Sequence, residues 1–250
     1  MTKLHFIAVP EAEEAAAALR ARYGEAGPEN AEIVVALGGD GFMLQTLHAF
    51  TAAGKPIYGM NRGTVGFLMN EFHEGDLLEK LAAAEKAVIH PLKMTAYTAA
   101  REVEARAFNE VSLLRETRQT AWLEISVNGR CVLPELICDG ILLSTPAGST
   151  AYNLSVQGPI LPLDSALVAL TPISPFRPRR WRGAILSDRA VIEFRVLDPE
   201  KRPVSAVADQ VEVRDIASVR MALDRSNPLT LLFDPEHALD DRIVMEQFAF

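Results

Sequence analysis

Over the first 90 residues, short apolar runs alternate with longer stretches whose apolar positions recur at helical spacing. The runs at 4–9, 32–37 and 56–60 read as strands, and the segments at 11–23, 42–52 and 76–86 as helices. Strands alternating with crossover helices build a parallel sheet, whose ligand crevice lies outside the carboxyl ends of its strands. From about Val88 the texture changes to short β-branched and aromatic segments separated by turn signals, among them the hairpin pair Asn128-Gly129. Strands are expected there at 93–100, 104–109, 121–127, 137–144, 167–171, 190–196, 203–208, 219–222 and 230–233. The stretch from Pro172 to Arg182, with three prolines, four arginines and Trp181, reads as an ordered loop. The pattern divides the chain into an α/β domain at 1–90 and a β-rich domain at 91–234, with a tail at 235–250 that can pack back on the first.

Composition narrows the function classes. With 250 residues and 49% apolar side chains, the chain can bury one large core or two modest ones. Its 33 acidic and 25 basic residues give a net charge of −8, which argues against nucleic acid as a partner. Small anions stay open, because helix N-termini bind phosphate through backbone dipoles whatever the overall charge. Cys131 and Cys138 lack CxxC spacing and read as reduced thiols of a cytoplasmic protein. The N-terminus has the look of a first strand, and no apolar stretch reaches the ~20 residues of a membrane helix. The five histidines are scattered without metal-ligand spacing.

The chemistry concentrates in loops. Gly38-Gly39-Asp40-Gly41 follows the apolar run that ends at Leu37. Its glycines let a ligand approach the main chain so that successive N–H groups converge on an anion. A carboxylate in such a loop is unfavourable unless it takes a proton from a nucleophile or shares a cation with the phosphate. Asn61-Arg62-Gly63-Thr64-Val65-Gly66-Phe67-Leu68 leaves the next strand end, so two glycine-bearing loops face one crevice. Further on, Ser144-Thr145-Pro146-Ala147-Gly148-Ser149-Thr150-Ala151-Tyr152 offers N–H groups, hydroxyls and a ring. That inventory suits a nucleotide, though the segment taken alone reads first as a Ser/Thr-rich cap in which Ser149 or Thr150 starts a short helix. Asp139 is either a turn residue or a ligand contact. Asn109-Glu110, after Phe108, reads as the end of a strand; it either pins two ribose hydroxyls or is solvated.

The ordered set Gly-Gly-Asp-Gly, Asn-x-Gly-x-x-Gly-Phe-Leu, Asn-Glu and Asp-Gly-x-x-x-Ser-Thr-Pro-x-Gly-Ser-Thr-Ala-Tyr, over residues 38 to 152, resembles the NAD kinase family in a short bacterial form. Lipid kinases and phosphofructokinases share the first motif without the last. The resemblance implies a Rossmann-like α/β domain followed by a β-sandwich-like domain. It implies Mg²⁺-dependent transfer of the terminal phosphoryl group of ATP, or of polyphosphate, to the 2′-hydroxyl of the adenosine ribose of NAD, giving NADP. Asp40 is then the general base, with Gly41 touching the dinucleotide and Gly38 and Gly39 on the donor phosphates. Asn109 and Glu110 hold a ribose, Asp139 contacts the far half of NAD, and Thr150, Ala151, Tyr152 and Ser155 its adenine side. Gln210, after Asp209, is a further carry-over. A homodimer or homotetramer is the implied assembly.

Two stretches depart from the family pattern: Gln157-Gly158-Pro159 stands where Gly-Gly-Pro is frequent, and Pro175-Phe176 where a Pro-His pair is. Arg177, Arg179, Arg180 and Arg182 either bind donor phosphates or form an exposed basic loop or a subunit contact. Two other readings compete: a kinase of the same superfamily acting on a lipid or sugar hydroxyl, and a catalytically silent NAD(P)-binding sensor.

Overall fold

The computed structural model describes residues 2–63 and 66–235, and the chain divides into two compact units. The first contains the chain up to Ile89, Pro162–Asp164 and the chain from Ser226 on; the second contains His90–Leu161 and Ser165–Arg225.

The first unit opens as β1 (Leu4–Ala8), α1 (Glu13–Tyr23), β2 (Ile33–Gly38), α2 (Asp40–Phe50) and β3 (Ile57–Asn61). β1, β2 and β3 pair in parallel, as the alternation requires. In β2, Val34, Val35, Ala36, Leu37 and Gly38 are all buried, the continuous apolar run of a strand covered on both faces. α1 stops at Gly24, whose φ of 82° only glycine adopts readily. α3 (Leu77–Ala83) is shorter than the expected helix over 76–86, because the chain turns at Ala84 into β4 (Glu85–Ile89). Only Ile89 is buried in β4, an exposed edge strand whose polar sequence hides it from a search for apolar runs.

The second unit consists of two six-stranded antiparallel sheets. One sheet has the order β6-β5-β16-β13-β8-β9, from β5 (Leu92–Thr98), β6 (Glu102–Ala107), β8 (Ala121–Val127), β9 (Arg130–Cys138), β13 (Ile192–Val196) and β16 (Ile216–Leu223). The other has the order β12-β11-β10-β7-β14-β15, from β7 (Glu110–Arg115), β10 (Gly140–Ser144), β11 (Leu167–Ile173), β12 (Ala184–Ser187), β14 (Val204–Ala208) and β15 (Val211–Val213). Alternate residues of both sheets, including Val111, Leu113, Ile141 and Leu143 against Leu123, Ile125, Ile192 and Phe194, share one core, which makes the unit a β-sandwich. Asn128 and Gly129, with φ of 52° and 76°, turn β8 into β9 as the dipeptide predicts.

Three expectations are corrected. The run over 137–144 is two strands in different sheets: β9 ends at Cys138, β10 begins at Gly140, and the chain changes sheet at Asp139. Asn109-Glu110 is the entry to a strand, β7, and not the end of one. The last described strand, β17 (Leu229–Phe233), belongs to the first unit, parallel to β3 and antiparallel to β4, so the second unit ends at Arg225 and not at 234. β17 fits there because Leu229, Leu231, Leu232 and Phe233 are all buried, which a central strand with both faces covered requires. The tail expected to pack back on the first domain lies, from 236 on, outside the described residues. Among the described residues no helix is long and apolar enough to cross a membrane.

Candidate active site

In the first unit, β2 ends at Gly38 and α2 begins at Asp40, with Gly39 in extended conformation between them. Gly38 pairs with Asn61 at the end of β3, and the Arg62 N–H donates to the Gly38 carbonyl at 2.9 Å, so both glycine-bearing loops leave the same edge of the sheet. The second loop closes on itself: the Asn61 N–H donates to the Asn70 carbonyl and the Asn70 N–H to that of Gly59, each at 2.8 Å. Within it, Phe67 and Leu68 donate their N–H groups to the Asp40 carboxylate at 2.7 and 3.0 Å. Asp40 is half-buried, and space is open around Gly39 and Gly41, where an added Cβ would meet nothing within 4 Å. The Phe42 and Met43 N–H groups both donate to the Gly39 carbonyl at 3.0 Å, and the start of α2 carries the positive end of the helix dipole. A carboxylate oriented by two N–H groups thus stands beside an amide-lined loop that can take phosphate.

In the second unit a polar cluster forms where three strand ends meet. β7 lies between β10 and β14, so the start of β7 faces Ser144 at the end of β10 and the turn that follows β14. On one side, Thr145 holds the connection into β7: its N–H donates to the Asn109 carbonyl at 2.9 Å and its hydroxyl to that of Phe108 at 2.6 Å. Gly148 packs directly on the Asn109 backbone, where any Cβ would collide with the carbonyl. On the other side, the Asp209 carboxylate accepts N–H groups from Phe108, Asn109 and Glu110 at 2.7, 3.1 and 3.4 Å.

Glu110 is the unsatisfied member of this cluster. Its Oε2 is buried without a hydrogen-bond partner, and burial, then the Asp209 charge, push the carboxyl pKa up to about 7. Burial and the Glu110 charge also raise the Tyr152 phenol. A buried acceptor left open beside a half-buried ring and amide is what a polar ligand completes.

The structure therefore brings Asn109, Glu110 and Tyr152 together and places Thr150 and Ala151, both half-buried, directly before Tyr152. Ser155 ends the short helix α4 (Tyr152–Ser155) and is exposed. Neither Ser149 nor Thr150 caps that helix: the Ser149 hydroxyl donates to the Pro146 carbonyl and accepts the Leu161 N–H, because it is buried under the loop it ties down. Asp139 stands apart, about 17 Å of extended chain from Ser144, with its carboxylate on Arg115 Nε at 2.6 Å. Gln210 is exposed. Asp209 beside it holds the cluster, and its place at the head of a two-residue turn between apolar strands is one that favours Asp. The four arginines of the loop after β11 are exposed, and Arg179, Arg180 and Arg182 line a cavity of about 570 Å³ with Gln157 and Trp181.

A strand-end glycine loop holding a carboxylate, and a β-sandwich presenting an open acceptor beside hydroxyls and a ring, define a nucleotide-dependent phosphotransferase. Residues 2–86 match the ATP-NAD kinase N-terminal domain and residues 108–228 the ATP-NAD kinase C-terminal domain. The chain is 61% identical over 242 residues to an NAD kinase of Zymomonas mobilis, covering 96% of this chain and 94% of that one. Two solved structures share the fold: yeast NADH kinase complexed with NADH (TM-score 0.82, 19% identity, 100% and 89% of the two chains) and an NAD kinase from Archaeoglobus fulgidus in complex with ATP (TM-score 0.80, 22% identity, 97% and 99%). The chain belongs to the NAD kinase family, enzymes that phosphorylate NAD to NADP with ATP.

Proposed function

We propose that the protein transfers the terminal phosphoryl group of ATP to the 2′-hydroxyl of the adenosine ribose of NAD, with Asp40 as the general base. The position of Asp40 supports this most directly: its two oxygens each accept one backbone N–H, which fixes the carboxylate. A carboxylate offers about four lone-pair sites, so it can still receive a hydroxyl proton. As the 2′-oxygen attacks the phosphorus, the bond to the donor's bridging oxygen breaks and the hydroxyl proton passes to Asp40. General-base assistance contributes about 10²–10⁴-fold, and positioning supplies the rest.

Gly39 and Gly41 leave open space at the main chain; Gly38 and Gly39 cradle the donor phosphates, whether of ATP or of polyphosphate, and Gly41 touches the dinucleotide. Mg²⁺ arrives with the donor phosphates in this reading. When bound, Mg²⁺ neutralises charge on the donor oxygens. Asn109 and Glu110 hold a ribose through donor and acceptor atoms, and Thr150, Ala151, Tyr152 and Ser155 form the adenine side, with Gln210 at the rim. Asp139, which pairs with Arg115 Nε at 2.6 Å, contacts the far half of NAD. Assembly as a homodimer or homotetramer and a cytoplasmic location complete the reading.

Coupled detection of NADP from purified protein supplied with NAD, Mg²⁺ and either ATP or polyphosphate tests it. NADP forms with at least one donor; absence of NADP with both overturns the reading.

A further inference from the structure

The connection between β6 and β7 is held from both of β7's neighbours in the sheet. Thr145, after β10, takes the carbonyls of Phe108 and Asn109. Asp209, after β14, takes the N–H groups of Phe108, Asn109 and Glu110. Phe108 and Asn109 lie between two strands, so their N–H groups point out of the ladder and need an acceptor. Asp209 reaches them from a left-handed conformation, φ 48°, and its own N–H donates back to the Glu110 carbonyl at 3.4 Å. Asp and Asn tolerate that conformation better than other side chains, but an amide would turn an NH₂ donor toward N–H donors.

We propose that Asp209 is a positioning residue of the dinucleotide site: its carboxylate fixes the backbone that presents Asn109 and Glu110 to the ribose, and its charge acts on the Glu110 carboxylate. This rests on the NAD kinase reading of the site. Besides burial, the Asp209 charge, from the turn between β14 and β15, acts on Glu110, and the Glu110 charge in turn acts on Tyr152 of α4. The Tyr152 phenol is raised above its ordinary value and stays neutral through the assay range, which leaves Asp209 as the charge that Glu110 feels. Together with burial, that charge holds the Glu110 carboxyl near 7. As a carboxylate, Glu110 accepts from a ribose hydroxyl, so kcat/KM for NAD rises with pH through a limb near 7.

Steady-state kinetics of Asp209→Asn, Asp209→Glu and Glu110→Gln, with thermal melts of each, test the assignment. In Asp209→Asn, KM for NAD rises at least about 10-fold, as the loss of a charge-assisted hydrogen-bond set implies, and KM for ATP stays put. The limb also moves to lower pH, because a negative neighbour has gone. In Asp209→Glu the charge persists and the limb stays near its wild-type position while KM for NAD rises. Glu110→Gln loses the limb. A residue that merely stabilised the fold would lower the melting temperature and leave the limb in place. If Asp209→Asn does not fold, Asp209→Glu still decides the matter: a wild-type KM for NAD in that variant overturns the assignment, as does an unmoved limb in a folded Asp209→Asn. Wild-type protein that makes no NADP overturns the kinase reading itself; an active wild type with indifferent Asp209 variants overturns the positioning role alone.

Discussion

Gly66 packs so closely on Asp40 that a Cβ at position 66 would stand 2.5 Å from Oδ1 and 3.0 Å from Cγ of that carboxylate. The absence of a side chain at 66 is what lets the second glycine loop lay the Phe67 and Leu68 amides on Asp40.

Gly66→Ala therefore displaces the carboxylate. We expect kcat to fall about 10- to 100-fold, the scale of a misplaced reacting group, while the NAD dissociation constant stays within about threefold. Overpacking costs about 1–3 kcal/mol of stability. Steady-state kinetics beside calorimetric NAD binding separates the two effects.

Glu110 imposes a pH-dependent cost on the fold. Its carboxyl is raised from 4.5 to about 7, so between those values the folded state binds more protons than the unfolded chain and stability declines as pH rises. Below pH 4.5 both states are protonated and the cost vanishes; above 7 it is complete. Glu110→Gln removes it. The variant should exceed the wild type in stability by up to about 3 kcal/mol at pH 8 and match it at pH 4, by urea unfolding at each pH.

Asp234 closes a buried network in the first unit. Its side chain, 3% exposed, accepts from the Tyr58 hydroxyl at 2.7 Å and from Lys80 Nζ at 2.9 Å, and its N–H donates to Asn70 Oδ1 at 2.9 Å. Asn70 in turn donates its Nδ2 to the carbonyls of Gly59 at 3.0 Å and Leu232 at 2.9 Å. Asp234→Ala leaves a half-buried ammonium and a buried hydroxyl without their acceptor and should cost about 3–5 kcal/mol, against about 1–3 for Tyr58→Phe. Because Asn70 anchors the loop that carries Phe67 and Leu68, urea midpoints and kcat should fall together in the first variant.

Much of this arrangement is legible in the chain. The buried run of β2, the turn at Asn128-Gly129 and the ordered motifs from Gly38 to Tyr152 all announce themselves locally. What is not legible is long-range pairing. Ile137, Cys138, Ile141 and Leu142 read as one apolar strand, yet the sheet changes at Asp139, because both sheets bury the same kinds of residue. β17 carries ordinary strand residues, and nothing local says that it rejoins β3 across the whole second unit. The role of Asp209 is illegible for the same reason: its partners, Phe108 to Glu110, are about a hundred positions earlier and become neighbours only because β14 pairs with β7.

The central assignment is Asp40 as the base, and Asp40→Asn tests it most directly. The amide keeps the shape of the side chain but cannot take the 2′-hydroxyl proton. Single-turnover NADP formation, measured with saturating ATP, Mg²⁺ and NAD alongside equilibrium NAD binding, should fall by at least about 10²-fold with the NAD dissociation constant within about threefold of the wild type. NADP formation at the wild-type rate in Asp40→Asn would contradict the assignment.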